Sequence, residues 1–164
     1  IWRGTNSNCL LSCSTRNVVR EREAWSDCLK HADCEGMWTW SNWLNMPRGR
    51  LVMLSQFHKH VDAKWTGKSM RIEDSLWEYF ESHGLVGEEI AFNAQTKWKY
   101  AINLDGTGNG DRIYWQLFGG SVVLVQESPQ VSWLVGDVGN TSNQALKPFQ
   151  HYVPVRYDLS DLPE

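Results

Sequence analysis

Short apolar runs alternate with polar turns and amphipathic segments along most of this chain. Five of the runs have the length and composition of β-strands, and they begin at Trp2, Val61, Tyr100, Ser121 and Tyr152. The longest uninterrupted apolar runs contain about five residues, whereas a membrane-spanning helix needs about 20. The pattern therefore predicts buried strands, and no membrane contact is expected from this segment.

Apolar residues recur at helical spacing in several segments outside these runs. The segments predicted to be helical are residues 18–31, 47–60, 73–83 and 112–118. Pro47 suits the first turn of its helix, and Leu51, Leu54 and Phe57 form the apolar stripe of that helix. Alternating strands and helices predict an α/β domain with a parallel sheet whose two faces are both covered.

The composition is that of one globular domain. The chain has 164 residues, of which 41% are hydrophobic and 21% are charged. A chain of this length can bury a sizeable core. The net charge is −3 and the basic residues are scattered, so no nucleic-acid partner is expected.

The four cysteines lie close together in the first part of the chain, at Cys9, Cys13, Cys28 and Cys34. An even, clustered set favours two disulfides in an oxidising compartment, with three possible pairings. Zinc binding and free buried thiols are the alternatives, although the spacing departs from that of common zinc fingers. A glycosylation sequon at Asn140 is consistent with a lumenal or secreted protein.

Tryptophan is unusually frequent, with 10 residues in the chain. Trp38, Trp40 and Trp43 are close in sequence, and aromatic faces can stack on sugar rings. These three residues support an alternative hypothesis for function, a non-catalytic module that binds carbohydrate or protein through a Cys- and Trp-rich segment. Packing in the core is the competing explanation for such tryptophans, and it is the expectation for Trp98 and Trp115.

The turn between the third and fourth predicted strands has the composition of a phosphate-binding loop. It reads DGTGNGD at residues 105–111, and Arg112 follows it at once. Glycines let an anion approach the backbone, the start of the following helix offers unpaired N–H groups, and a guanidinium adds two parallel donors. The candidate ligands in this turn are Asp105, Gly106, Thr107, Gly108, Asn109, Gly110 and Arg112.

Other interpretations of this turn stay open. Asn109 and Gly110 could form the tip of a β-hairpin. A nicotinamide-dependent enzyme is a weaker alternative, because Asp111 stands where the third glycine of the dinucleotide fingerprint belongs and the acidic ribose ligand is missing. Asp105 could accept hydrogen bonds from ribose or sugar hydroxyls, or it could orient Arg112 or the loop backbone.

Six blocks of sequence occur in the order found in one family of glycosyltransferases. They are WRGT at residues 2–5, RGRLVMLS at 48–55, VDA at 61–63, YAINLDG at 100–106 with the following arginine and GSVVL at 120–124, LKPFQHYVPV at 146–155, and DLSDL at 158–162. Together these blocks resemble the protein O-glucosyltransferases and capsule-associated (CAP10-like) glycosyltransferases. The resemblance implies a Rossmann-like, three-layer α/β fold with a mostly parallel sheet, as the second half of a GT-B type enzyme.

The resemblance also implies roles for particular residues. Arg48 and Arg112 match family arginines that contact the diphosphate of the donor, and Thr5 matches a hydroxyl-bearing residue near the nucleotide. Arg50 is the competing candidate if the register of its block is shifted. The catalytic base of the family is an aspartate in the first domain, before the WRGT block. No catalytic residue is therefore expected in this chain, which should bind the donor but not transfer sugar alone.

The activity implied by the resemblance is the transfer of glucose or xylose from a UDP-sugar to a hydroxyl group of a protein or glycan, with inversion of the configuration at the anomeric carbon. The whole chain, residues 1–164, is expected to form a single donor-binding domain with a Cys- and Trp-rich insertion at about residues 6–46. Its implied partners are the UDP-sugar, the hydroxyl acceptor and a missing N-terminal acceptor domain. No cofactor or metal is expected, because arginines can neutralise the diphosphate. The implied location is the lumen of the endoplasmic reticulum or Golgi, or outside the cell.

Overall fold

The structure, a computed structural model, describes residues 1–5, 37–68, 71–105, 112–127, 134 and 145–162. Its elements in chain order are strand β1 (Trp2–Thr5), a 3-10 helix (Trp43–Asn45), helix α1 (Pro47–Phe57), strand β2 (Ala63–Gly67), helix α2 (Asp74–Ser82), helix α3 (Phe92–Gln95), strand β3 (Tyr100–Asn103), helix α4 (Arg112–Phe118), strand β4 (Val122–Gln126) and strand β5 (Val153–Val155). Within this part of the chain, no helix is long and apolar enough to cross a membrane.

Several predictions concern residues outside the described ranges. They are the pairing of Cys9, Cys13, Cys28 and Cys34, the sequon at Asn140, the helix over residues 18–31 and the conformation of the turn at residues 106–111. They remain predictions from the sequence.

The strand pairs are parallel. β1 pairs with β2, while β3, β4 and β5 form a second sheet with β4 in the centre. The two sheets meet at Ile1, whose amino group donates to the carbonyl of Tyr100 at 3.1 Å and whose carbonyl accepts from the amide of Ile102 at 3.4 Å. The strands thus follow one another in space as β2-β1-β3-β4-β5, and the predicted parallel, Rossmann-like α/β class is confirmed.

Aromatic side chains form the centre of the larger hydrophobic core. Trp65 of β2 stacks on Phe80 of α2 with ring centroids 5.6 Å apart. Trp2 and Trp38 meet Trp65 in edge-to-face geometry, at 5.6 Å and 5.3 Å. Such pairs add to the free energy of burying large rings, and here they join β1 and β2 to α2.

A smaller core lies on the other face of the β3-β4-β5 sheet. Ile113 of α4 packs there with Val123, Val125 and Tyr152. The face that carries Ile102 packs instead into the larger core. Both faces of this sheet therefore contribute to a hydrophobic core, and α4 packs on one of them.

Three aromatic residues depart from the predictions. Phe57 is the last residue of α1 and is 75% exposed, so the apolar stripe is buried at Leu51 but not at the end of the helix. Trp98 is 37% exposed because it lies in the turn before β3, and its predicted core position is wrong. Trp115 is half-buried and stacks on Phe92 with ring centroids 4.7 Å apart.

Candidate functional site

Two arginines converge on the ring of one buried tryptophan. The guanidinium carbon of Arg48 lies 5.7 Å from the centroid of the Trp2 ring, and that of Arg112 lies 5.8 Å from it. Gly4 leaves room for this ring, because a β-carbon at that position would lie 2.6 Å from it. The indole therefore lies alongside β1 toward the end of the strand and presents its π-system to both cations.

Arg112 is the first residue of α4, and its side chain contacts β1. Its Nη1 donates to the backbone carbonyl of Arg3 in β1 at 2.6 Å. Burial lowers the pKa of Arg112, because leaving water disfavours the charged guanidinium. Its guanidinium brings a positive charge to the ring of Trp2 in β1.

Arg48 is a charged side chain that is only 9% exposed. Its Nε donates to the backbone carbonyl of Asp105 at 2.7 Å. Burial and then the charge of Arg112 lower the pKa of Arg48 to about 10, while Asp105 acts in the opposite direction. The guanidinium stays charged at neutral pH. Two cations held in a partly dehydrated site destabilise each other, and an anion bound beside them would relieve that cost.

The site lies where the order of the strands reverses. Along the chain, β2 is added on one side of β1, whereas β3, β4 and β5 follow on the other side. In open parallel α/β sheets, ligands bind outside the carboxyl ends of the strands at such a switch point. Here Thr5 ends β1, Asp105 follows β3, and the Arg112 side chain bonds to the backbone of β1.

Three predicted site residues meet at this point, namely Arg48, Asp105 and Arg112, while Thr5 ends the adjacent strand β1. Gly106, Thr107, Gly108, Asn109 and Gly110 lie outside the described residues. For Asp105, the structure shows two backbone hydrogen bonds, in which its carbonyl accepts from Arg48 Nε and its amide donates to Gln126 Oε1.

Arg50, the competing candidate, has different partners. Its Nε donates to the carbonyl of Leu44 at 2.7 Å, and its Nη1 lies 3.5 Å from the carbonyl oxygen of Asp158. Arg48 is therefore the arginine of this block that shares a site with Arg112.

Two residues of the site were not found by sequence analysis. The sequence pattern predicts only a strand at Trp2, although its place directly before Arg3 and Gly4 in the WRGT block is a usable signal. Gln126 ends β4 and is buried, and its side-chain amide bonds to the backbone amide of Asp105. A polar residue at the carboxyl end of an apolar strand is the signal that could have identified it.

The three tryptophans of the alternative hypothesis do not form one surface. Trp38 and Trp43 are 1% and 3% exposed and belong to the core, whereas Trp40 is 50% exposed. Trp40 packs edge-on against Tyr79, and its Nε1 donates to Ser75 Oγ at 3.2 Å. The geometry therefore does not favour a carbohydrate-binding surface built from all three rings.

Trp40→Ala is expected to lower the free energy of unfolding by about 1 kcal/mol, because the ring is half in water and makes one aromatic contact and one exposed hydrogen bond. Urea denaturation followed by circular dichroism measures this change. A loss of about 3 kcal/mol or more would show that Trp40 belongs to the core and would contradict its exposed position.

Among the described residues, no group of three His, Cys, Asp or Glu side chains is placed to hold a metal ion. The positive charge at the switch point comes from Arg48 and Arg112.

The sequence also matches a protein family and several known proteins. The sequence model of glycosyl transferase family 90 matches residues 14–164. Protein O-glucosyltransferase 3 of Mus musculus is 41% identical over 68 residues, which cover 42% of this chain and 12% of that protein. Protein O-glucosyltransferase 2 of Danio rerio is 35% identical over 82 residues, which cover 50% of this chain and 15% of that protein.

A viral protein is also similar. Uncharacterized protein 179R of Invertebrate iridescent virus 6 is 40% identical over 70 residues, which cover 43% of this chain and 6% of the viral protein. The chain thus spans a small part of the length of the relatives that it matches. The family model, in contrast, matches most of the chain. Because this match covers most of the chain, the chain belongs to glycosyl transferase family 90.

Proposed function

We propose that this chain binds the nucleoside diphosphate part of a UDP-sugar and serves as the donor-binding domain of a glycosyltransferase. The observation that carries the proposal is the convergence of Arg48 and Arg112 on Trp2 at the carboxyl ends of parallel strands. Family membership supplies the reaction class. Two guanidinium groups suit the charge and the planar oxygen pairs of a diphosphate.

The protein holds these donors in place by contacts of its own. The Nε of Arg48 is bonded to Asp105, and the Nη1 of Arg112 is bonded to Arg3, so neither guanidinium rotates freely. Donors that are oriented in advance need little reorganisation when the ligand binds. The glycine-rich turn follows Asp105 directly in the sequence, which would bring backbone N–H groups to the same anion.

The arginines would act on the leaving group of the reaction. Sugar transfer breaks the bond between the anomeric carbon and a diphosphate oxygen, and negative charge then grows on the departing nucleoside diphosphate. Arg48 and Arg112 stabilise this charge most strongly in the transition state. A carboxylate base accepts the proton of the acceptor hydroxyl while its oxygen attacks from the opposite face, which inverts the configuration at the anomeric carbon.

The base belongs to another part of the enzyme in this proposal. The family resemblance assigns it to an acceptor-binding domain outside these 164 residues, so the chain would bind the donor without transferring sugar alone. The names of the relatives, protein O-glucosyltransferases 2 and 3, favour glucose as the sugar and a protein hydroxyl as the acceptor. Xylose and a glycan acceptor are the alternatives. We propose that the reaction takes place in the lumen of the endoplasmic reticulum or Golgi, or outside the cell, and that it needs no metal.

Calorimetric titration of the folded chain with uridine diphosphate, in the presence of a chelator, tests this function. We expect saturable binding of one nucleotide per chain, because guanidinium groups hold the diphosphate without a metal ion. Uridine is the matched control ligand, and its affinity should be at least about 100-fold lower, since it lacks both phosphates. If a chain that unfolds cooperatively binds neither ligand, or binds both equally, the proposed function is wrong.

A further inference from the structure

Gln126 joins the ends of all three strands of the β3-β4-β5 sheet. It is the last residue of β4, and its side chain is buried. Its Oε1 accepts from the backbone amide of Asp105, after β3, at 3.1 Å. Its Nε2 donates to the backbone carbonyl of Tyr157, after β5, at 2.8 Å. One side-chain amide thus fixes where the chain leaves both neighbouring strands.

Asp105 is held from two sides. Gln126 bonds its amide, and Arg48 Nε donates to its carbonyl at 2.7 Å. These contacts form a continuous line from the centre of the sheet, through the backbone of Asp105, to the guanidinium that lies against Trp2. A shift of Asp105 would therefore move the carbonyl that orients Arg48.

The chemistry of this position requires a group that accepts and donates at once. A carboxamide does both, whereas an ionised carboxylate only accepts and a hydrocarbon does neither. An ionised carboxylate at this position would place negative charge against the Tyr157 carbonyl. A protonated carboxyl group has the same shape as the amide, and it can accept from Asp105 and donate to Tyr157.

We infer that Gln126 is a positioning residue for nucleotide binding, which sets the orientation of Arg48 through the backbone of Asp105. This inference rests on the proposed function. It adds a residue that does not touch the ligand itself, and it predicts that the affinity for uridine diphosphate depends on the hydrogen-bonding state of residue 126.

Gln116 provides a matched control in the same sheet. Its side chain is also a buried amide, and its Nε2 donates to the carbonyl of Ile102 at 3.1 Å while its Oε1 accepts from Asn103 Nδ2 at 3.1 Å. These bonds support β3 from α4, but they do not reach Asp105. A purely structural role would make the two glutamines behave alike.

The test uses Q126E, Q126M and Q116E, each titrated with uridine diphosphate between about pH 5.5 and about pH 8, a range in which a buried carboxyl with a raised pKa can titrate. Each dissociation constant is divided by that of the wild-type chain at the same pH. The fitted number of sites reports the fraction of folded protein. The ratio therefore describes affinity per folded chain.

For Q126E we expect binding about tenfold weaker than wild type at about pH 8, and within about threefold of it at about pH 5.5. The affinity recovers as the pH falls, because protonation of the introduced carboxylate restores a hydrogen-bond donor toward the carbonyl of Tyr157. Q126M should bind about tenfold more weakly at every pH, since it can neither accept nor donate. Q116E should bind like wild type throughout, whatever its stability.

The charged and titratable groups around this position come from three elements. They are Asp105 after β3, Tyr157 and Asp158 after β5, and Arg48 and Arg50 from α1. Burial raises the pKa of Tyr157, which stays neutral in this range, and Arg48 stays charged. The pKa of the adjacent Glu127 is also raised by burial, and since Q126M and Q116E both keep this group, they show its own contribution to the pH dependence.

The outcomes separate the two hypotheses. If wild-type protein does not bind uridine diphosphate, the proposed function fails and this inference fails with it. If wild type binds, two results would contradict the inference: the ratio of dissociation constants for Q126E does not change with pH, or Q116E shows the same change with pH as Q126E. In either case Gln126 has no positioning role, and the proposed function stands.

Discussion

Arg112→Ala weakens the binding of uridine diphosphate by about 100-fold, equivalent to about 2.7 kcal/mol. A hydrogen bond to a charged group contributes about 1.5–3 kcal/mol, and a guanidinium can offer two to one phosphate. Arg112 is half-buried against Trp2, so salt screens its charge less than that of a surface arginine. Calorimetric titration with uridine diphosphate in the presence of a chelator measures the change in the dissociation constant.

Two variants show whether the loss is specific. Arg112→Lys keeps the charge but not the planar fork, and it should lose about tenfold in affinity. Arg50→Ala removes the same charge from α1, but this side chain bonds to Leu44 and lies near Asp158, so affinity should stay within about twofold. Equal losses in Arg112→Ala and Arg50→Ala would mean that net charge alone attracts the nucleotide, and the site described above would be wrong. Because Arg112 also bonds to Arg3, the number of sites per chain must be compared as well.

The elements around the site are predictable because short-range patterns define them. An apolar run, a glycine-rich turn and a pair of glycines after a short amphipathic stretch predict β3, α4 and β4. The structure confirms these elements as Tyr100–Asn103, Arg112–Phe118 and Val122–Gln126. Gly120 adopts a φ of 76°, a conformation that glycine adopts readily, which explains why α4 ends there.

The partners of the individual side chains could not be predicted in this way. Arg48 and Arg50 are two residues apart on α1, which places them about 200° apart around the helix axis. The one that faces Arg112 depends on how α1 lies on the sheets, and this is a tertiary property. The direction of the Trp2 ring likewise depends on the free space at Gly4. Among the signals in the sequence, only the family resemblance points to Arg48.

Gly49→Ala should lower the free energy of unfolding by about 3 kcal/mol. Helix propensity alone predicts the opposite, a gain of about 1 kcal/mol, because Gly49 lies inside α1. The added β-carbon, however, would lie 2.0 Å from the carbonyl oxygen of Trp43, and neighbouring atoms of this kind normally stay more than about 3 Å apart. Trp43 is buried and packs on Phe80 with ring centroids 5.0 Å apart, so the 3-10 helix cannot simply move away.

Gly84→Ala is the control that separates this clash from a general cost of replacing glycine. Gly84 has a φ of 64°, but a β-carbon there would have no atom within 4 Å, so the expected loss is only the conformational cost of about 1 kcal/mol. Urea denaturation followed by circular dichroism and tryptophan fluorescence compares the two variants. Because Gly49 directly follows Arg48, relief of the clash would also displace this arginine, and Gly49→Ala should bind uridine diphosphate more weakly even when folded. A variant as stable as wild type would show that α1 does not approach Trp43 this closely, and the position of Arg48 would then need revision.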